Sequence, residues 1–187
     1  MGEVRSRLLG NLLGSLAVLA VAAAVAIGLP ALDRALPAAR PVTHGQPYGI
    51  GAGVTVVPPA GALLDVTKTR PGPRRGTALF LLGSVRYAVV VGPFTGSLPE
   101  AAARLRHKIT ATRGCQVTGT ERPVTTGAGV GGRAGGYAAP GRAGRYSVFL
   151  VRGLAVEVTV SGTQADLRGA LGRVEASTAS LAFGRRP

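Results

Sequence analysis

From Leu8 to Leu32 the chain runs 25 residues without a charge, and only Asn11 and Ser15 carry polar side chains. About 20 apolar residues span the hydrocarbon core of a bilayer as a helix. A secretory signal uses a shorter apolar stretch, roughly 7–15 residues, before a small-x-small cleavage site. Ala24-Val25-Ala26 offers such a site, so removal of the segment stays open, but its length favours a retained transmembrane helix. Arg5 and Arg7 before the span balance Arg34 and Arg40 after it, so the positive-inside rule is nearly silent. A short basic tail ahead of a long apolar helix has the form of a signal-anchor. The expected organisation is a tail (1–7), an anchor helix (8–32), a Pro/Ala/Arg linker (33–47), a domain (48–184) and a basic tail (185–187). The expected location is the cell membrane, single-pass, with the domain on the extracytoplasmic side.

The 187 residues carry 22 Lys+Arg against 8 Asp+Glu, a net charge of +14. Such a field attracts anionic surfaces but does not by itself define a site. With a single cysteine no internal disulfide can form. Beyond the linker, short apolar runs alternate with Gly and Pro. VTVVPP (54–59) reads as a strand stopped by prolines, which cannot donate to a ladder. ALLDVTKT (62–69) and TALFLLGSVRYAVVVG (77–92) continue the sheet, the latter as two strands broken near Gly83-Ser84. PGPRRG between them is a turn exposing Arg74 and Arg75.

Ser97 with Glu100 three residues on is a capping box, and Pro99 falls in the first turn where its missing N–H is harmless. Leu98, Ala102, Leu105, Ile109 and Thr112 recur at helical spacing as the buried stripe, and Gly114 ends the helix. Arg104, Arg106, His107, Lys108 and Arg113 are left as a basic outer face. CQVTGTERPV, RYSVFLVRG and LAVEVTVSG read as strands, with Arg152-Gly153 a tight hairpin turn. Alternation places Glu157 opposite Val156 and Val158, facing solvent or paired with an arginine. Thr163 to Asp166 caps a second helix, with Leu167, Ala170, Leu171, Val174 and Leu181 on one face. Strands, helix, strands, helix predict an α+β domain with a mostly antiparallel sheet and two packed helices, preceded by one N-terminal transmembrane helix.

Gly127, Gly129 and Gly132 spell a formal G-x-G-x-x-G. A dinucleotide site needs a helix opening directly after those glycines, because the helix's N-terminal amides hold the phosphate. Here Gly135, Gly136, Pro140, Gly141 and Gly144 follow, and no helix survives that density of breakers. The stretch is instead expected to be a wide hairpin, with strands over 125–137 and 145–151 and a turn at Pro140-Gly141. Its glycines would permit bulges or close approach of another backbone. Arg133, Arg142 and Arg145 make that hairpin basic. Together with Arg104, His107 and Lys108 they are the candidate contacts to an anion or partner.

Some phrases resemble a known family: GVTVVPPAG (53–61), RGCQVTG (113–119) after the mid-chain helix, and ASTASLAF (176–183) at the close. They are similar to the small secreted or membrane-anchored actinobacterial domains of the Mog1/PsbP-like α/β fold, over about residues 48–184. The resemblance implies a sheet backed by helices, usually a binding or assembly module with no shared catalytic set, and it carries over no site residue.

The two histidines, His44 in the linker and His107 on the helix, cannot build a zinc cluster. Cys115 alternates with Val117 and is expected to face the core, and nothing orients His107 to activate it. The carboxylates are scattered. The chain is therefore read as a non-enzyme without cofactor or metal. The expectation is an envelope protein, held in the membrane by Leu8–Leu32, whose domain binds or scaffolds an envelope protein or an anionic polymer. The alternative is a cytoplasm-facing basic domain touching anionic lipid or nucleic acid. Against nucleic acid stand the absence of Trp and an aromatic content of 4%.

Overall fold

The computed structural model describes residues 38–184. The expected anchor helix over Leu8–Leu32 and the tails at 1–7 and 185–187 lie outside them. Among the described residues no helix is long and apolar enough to cross a membrane.

The domain is built on an eight-stranded antiparallel sheet in the order β1-β4-β5-β6-β10-β9-β8-β7. Its strands are β1 (Ala39–Pro41), β4 (Leu63–Asp65), β5 (Gly76–Leu82), β6 (Val85–Pro93), β7 (Gln116–Thr125), β8 (Gly131–Ala139), β9 (Arg142–Val151) and β10 (Leu154–Gly162). A second sheet, in the order β11-β3-β2, comprises β2 (Tyr48–Gly51), β3 (Val54–Val56) and β11 (Ala182–Phe183). Two helices complete the α+β domain, α1 (Leu98–Thr110) and α2 (Gln164–Ala179).

Strict alternation decides which side of the main sheet is buried. In β5, Ala78, Phe80 and Leu82 point to one face, and in β6 so do Val85, Tyr87, Val89 and Val91. That face, joined by Phe149, Val156, Val158 and Val160, carries the larger core. It is closed by Leu167, Ala170 and Val174 of α2 and by Ile50, Val54 and Val56 of the small sheet. At its centre the Phe80 and Tyr87 rings stack with centroids 5.9 Å apart, and Tyr48 meets Phe80 edge-on at 5.7 Å, the geometries that aromatic quadrupoles favour. On the opposite face α1 packs over β7, β8 and β9, burying Ala101, Ala102, Leu105 and Ile109 against Tyr146 and Val148. Cys115 is half-buried in this second cluster, as its alternation with Val117 predicts.

The helix boundaries follow their caps. The Ser97 hydroxyl accepts from the Glu100 N–H while the Glu100 carboxylate accepts from the Ser97 N–H at 2.7 Å, a complete capping box. Thr163 caps α2 by accepting from the Asp166 N–H at 3.2 Å. The break at Gly83-Ser84 and the Arg152-Gly153 turn fall where expected, the latter with positive φ at both residues (49° and 74°), which matches the twist of a two-residue hairpin.

Three expectations are corrected. The stretch read as linker contains β1, whose Arg40 pairs with Leu64, so the domain begins before residue 48. The strand in VTVVPP belongs to the small sheet rather than continuing the main one, because Pro58 and Pro59 end it before it can pair further. The run over 125–137 is not one strand: the chain turns at Thr126–Val130, where the Thr126 N–H donates to the Val130 carbonyl. The glycines of the formal phosphate motif thus straddle a β-turn between β7 and β8.

Candidate functional site

The candidate basic residues divide between the two faces of the sheet. On the α1 face, Glu157 of β10 is buried, 6% exposed, and both Arg104 (3.0 Å) and Lys108 (2.8 Å) reach down from α1 to it. The pairing arm of the Glu157 expectation holds and the solvent-facing arm does not. The expected open ridge of α1 is correspondingly altered, because two of its cations are spent on a buried carboxylate. Arg104 also lies over the Phe94 ring at 4.3 Å, a cation–π contact. His107 stays exposed and makes no side-chain hydrogen bond among the described residues. A second hub centres on Glu121, on the irregular stretch of β7, which accepts from Arg106 of α1, from the Tyr146 hydroxyl at 3.0 Å and from Arg133 at 3.4 Å. Burial alone would raise the Glu121 carboxyl. The hydrogen bonds from Arg106, Tyr146 and Arg133 outweigh it and hold the group below the ordinary glutamate range.

Arg142 donates to the carbonyls of Ser84 (2.9 Å) and Ser161 (3.3 Å), tying the β8–β9 turn to the end of β10. Arg145 points to the α2 face and meets Glu175 of α2 at 3.3 Å. The six candidates therefore form no single constellation. Arg104 and Lys108 share one carboxylate, Arg133 joins another, Arg145 takes a third, and His107 and Arg142 stand apart.

What the sequence does not announce is a cleft of about 870 Å³ on the α2 face, where β7, β8 and β9 extend beyond the cover of α2. The floor is made of small residues, among them Ala134, Gly136 and Ala143. Val158, Val160 and Leu171 supply apolar walls, and Arg122, Arg145 and Arg168 stand with Glu175 around the rim. Arg122 lies 3.9 Å from the same Glu175 that pairs with Arg145, and Arg168 has no ion pair among the described residues. Arg122 and Arg168 were not among the expected contacts. Arg122 comes to the Arg145 face through its pairing with Ala134 in β8, and Arg168 comes to it from α2. Pairings between segments this far apart in sequence leave no periodic trace for a sequence reading to follow.

Each of the six carboxylates in the described residues has a structural role. Asp65 accepts from the Thr67 and Lys68 N–H groups at 2.9 and 3.0 Å in an Asx-type turn. Glu100 completes its capping box, and Asp166 accepts from the Ser84 and Thr163 hydroxyls at the start of α2. Glu121, Glu157 and Glu175 anchor the arginine clusters already described. Among the described residues no group of three His, Cys, Asp or Glu side chains converges as a metal site.

No protein-family model matches the chain, and no curated protein does either. Among solved structures the chain is similar to the cyanobacterial PsbP (CyanoP) from Synechocystis sp. PCC 6803, with a TM-score of 0.53 and 13% identity, over 76% of this chain and 98% of that one. At that identity the likeness concerns the fold alone. The order of strands, the helices on opposite faces and this likeness agree: the domain has a PsbP-like α/β fold.

Proposed function

We propose that the chain is a single-pass, membrane-anchored envelope protein whose domain lies outside the cytoplasm and binds a ligand without transforming it. The observation that carries the reading is the commitment of all six described carboxylates to caps, turns and arginine pairs beside a cleft left open. General acid–base work needs a titratable group within reach of substrate, and the six described carboxylates are engaged in the fold's own caps, turns and ion pairs. The cleft has the make-up of a binding site: concave, largely apolar, with a few convergent polar groups. Its small-residue floor and apolar walls suit an apolar body, and Arg168, without an ion pair among the described residues, suits with Arg122 and Arg145 an acidic group on it. The anchoring part of the reading rests on the uncharged run Leu8–Leu32.

Anilinonaphthalene sulfonate, an aromatic body bearing one anionic group, is a direct probe of the cleft. The full chain in non-ionic detergent is expected to enhance its fluorescence. Arg168→Glu should weaken binding roughly tenfold, the scale of about 1.4 kcal/mol. Arg86→Glu, on the other face of the sheet, should leave binding unchanged. Equal binding by the wild type and Arg168→Glu would contradict a ligand site in the cleft.

A further inference from the structure

On the α1 face of the main sheet, α1 packs over β7–β9 and its Arg104 and Lys108 side chains reach on to Glu157 of β10. Over β4, β5 and β6 this face has no helix or strand packed on it among the described residues. Pairing and alternation put Leu63, Leu79, Leu81, Ala88 and Val90 on this uncovered face. Among the described residues the two large apolar side chains left exposed, Leu63 at 40% and Val90 at 36%, both belong to it. Beside Val90 runs a groove of about 470 Å³, walled by Arg104 and Lys108 of α1 on one side and by Arg70 and Arg75 on the other. Arg86 stands on the same face of β6, exposed, four residues before Val90. The carboxylate lining this groove, Glu157, is already occupied by Arg104 and Lys108, whereas Arg75 and Arg86 have no ion pair among the described residues.

We infer that this face docks an acidic polypeptide segment that carries apolar residues between its carboxylates. Three features select that occupant. The apolar strip requires apolar side chains to cover it, and patches of this kind rimmed by polar groups mark interaction surfaces. The cations on its borders require negative charge, because complementary potentials steer and select a partner while like charges repel. A second copy of this chain would bring arginines against arginines. The groove is a concavity lined by Arg104 and Lys108 as well as by Arg70 and Arg75, which suits an extended chain with side chains alternating at strand spacing better than a flat bilayer. The inference is independent of the cleft on the other face.

The test uses the full chain in non-ionic detergent with a short fluorescein-labelled peptide alternating glutamate and valine, read by anisotropy. The structure predicts saturable binding that weakens with salt and is lost when glutamine replaces glutamate. Arg75→Glu and Arg86→Glu are each expected to weaken it roughly tenfold, and Val90→Lys to weaken it too, whereas Arg168→Glu in the cleft should not. These are exposed positions, and an unchanged far-UV spectrum will show that the variants fold. Equal affinity for the glutamine peptide, or insensitivity to Arg75→Glu and Arg86→Glu, would overturn the inference. So would sensitivity to those variants only in binding to anionic phosphatidylglycerol vesicles or in self-association, with no peptide binding.

Discussion

Gly135 and Gly144 stand opposite tyrosines in the β8–β9 pair, Gly135 against Tyr146 and Gly144 against Tyr137. A Cβ on either glycine would enter the ring of the tyrosine across from it, and one on Gly132 would enter the ring of Phe149. The glycines of this basic hairpin therefore serve as floors for aromatic rings, two on the α1 face and one on the α2 face. Close approach was legible in the sequence: at Gly132 the Val148 carbonyl crowds the same space as the Phe149 ring, whereas at Gly135 and Gly144 the approaching group is a ring. What hid it is the cross-strand register, which depends on where the chain turns, and the turn at Thr126–Val130 is not marked by a distinctive pair of residues. Gly144→Ala should displace the Tyr137 ring, whose hydroxyl donates to the Val160 carbonyl at 3.1 Å, and cost about 1–3 kcal/mol of stability, the usual range for overpacking. Gly169 in α2 meets nothing in the space a Cβ would take, so Gly169→Ala should instead stabilise by about 0.5–1 kcal/mol. Unfolding midpoints in guanidinium read both signs.

The start and the apolar stripe of α1 were legible because their signals are local, a capping box and a proline in the first turn. The end expected at Gly114 falls earlier: the helix stops at Thr110, capped by Ala111, and Thr112 is exposed. Its basic face was legible in composition but not in use, since the partners Glu157 and Glu121 lie 49 and 15 residues away from Lys108 and Arg106. Long-range pairing of this kind leaves no periodic trace. Through Glu121 the helix is joined to β7, β8 and β9 at once, by Arg106, Arg133 and Tyr146. The depressed Glu121 carboxyl stabilises the domain above the ordinary glutamate pKa, about 4.3. As pH falls, the unfolded chain takes up that proton before the folded one, so the contribution is lost progressively on the way down to the folded pKa. Glu121→Gln should lower the melting temperature at pH 7 and flatten the fall in melting temperature between pH 6 and pH 3. An unchanged acid slope in the variant would show that the hub does not hold α1 on the sheet.

At the scale of the domain, α1 lies over β7–β9 and α2 over β6, β9 and β10 on opposite faces of the sheet, and each leaves part of its face open. The α2 face keeps the cleft over β7–β9, and the α1 face keeps the apolar strip over β4–β6. The α+β class and the antiparallel sheet could be read from the order of periodic segments. The offset of the helices could not, because it is set by crossover positions that emerge only when β10 pairs with β6 and β9 together. Two open surfaces on one sheet suit a domain that joins partners, and under the proposed function the side of the membrane on which it lies decides which partners it meets. The most direct measurement is a pair of reporters fused after Pro187, an alkaline phosphatase that folds only outside the cytoplasm and a fluorescent protein that matures only inside. The proposed function predicts phosphatase activity without fluorescence. Fluorescence without phosphatase activity would place the domain in the cytoplasm and contradict it.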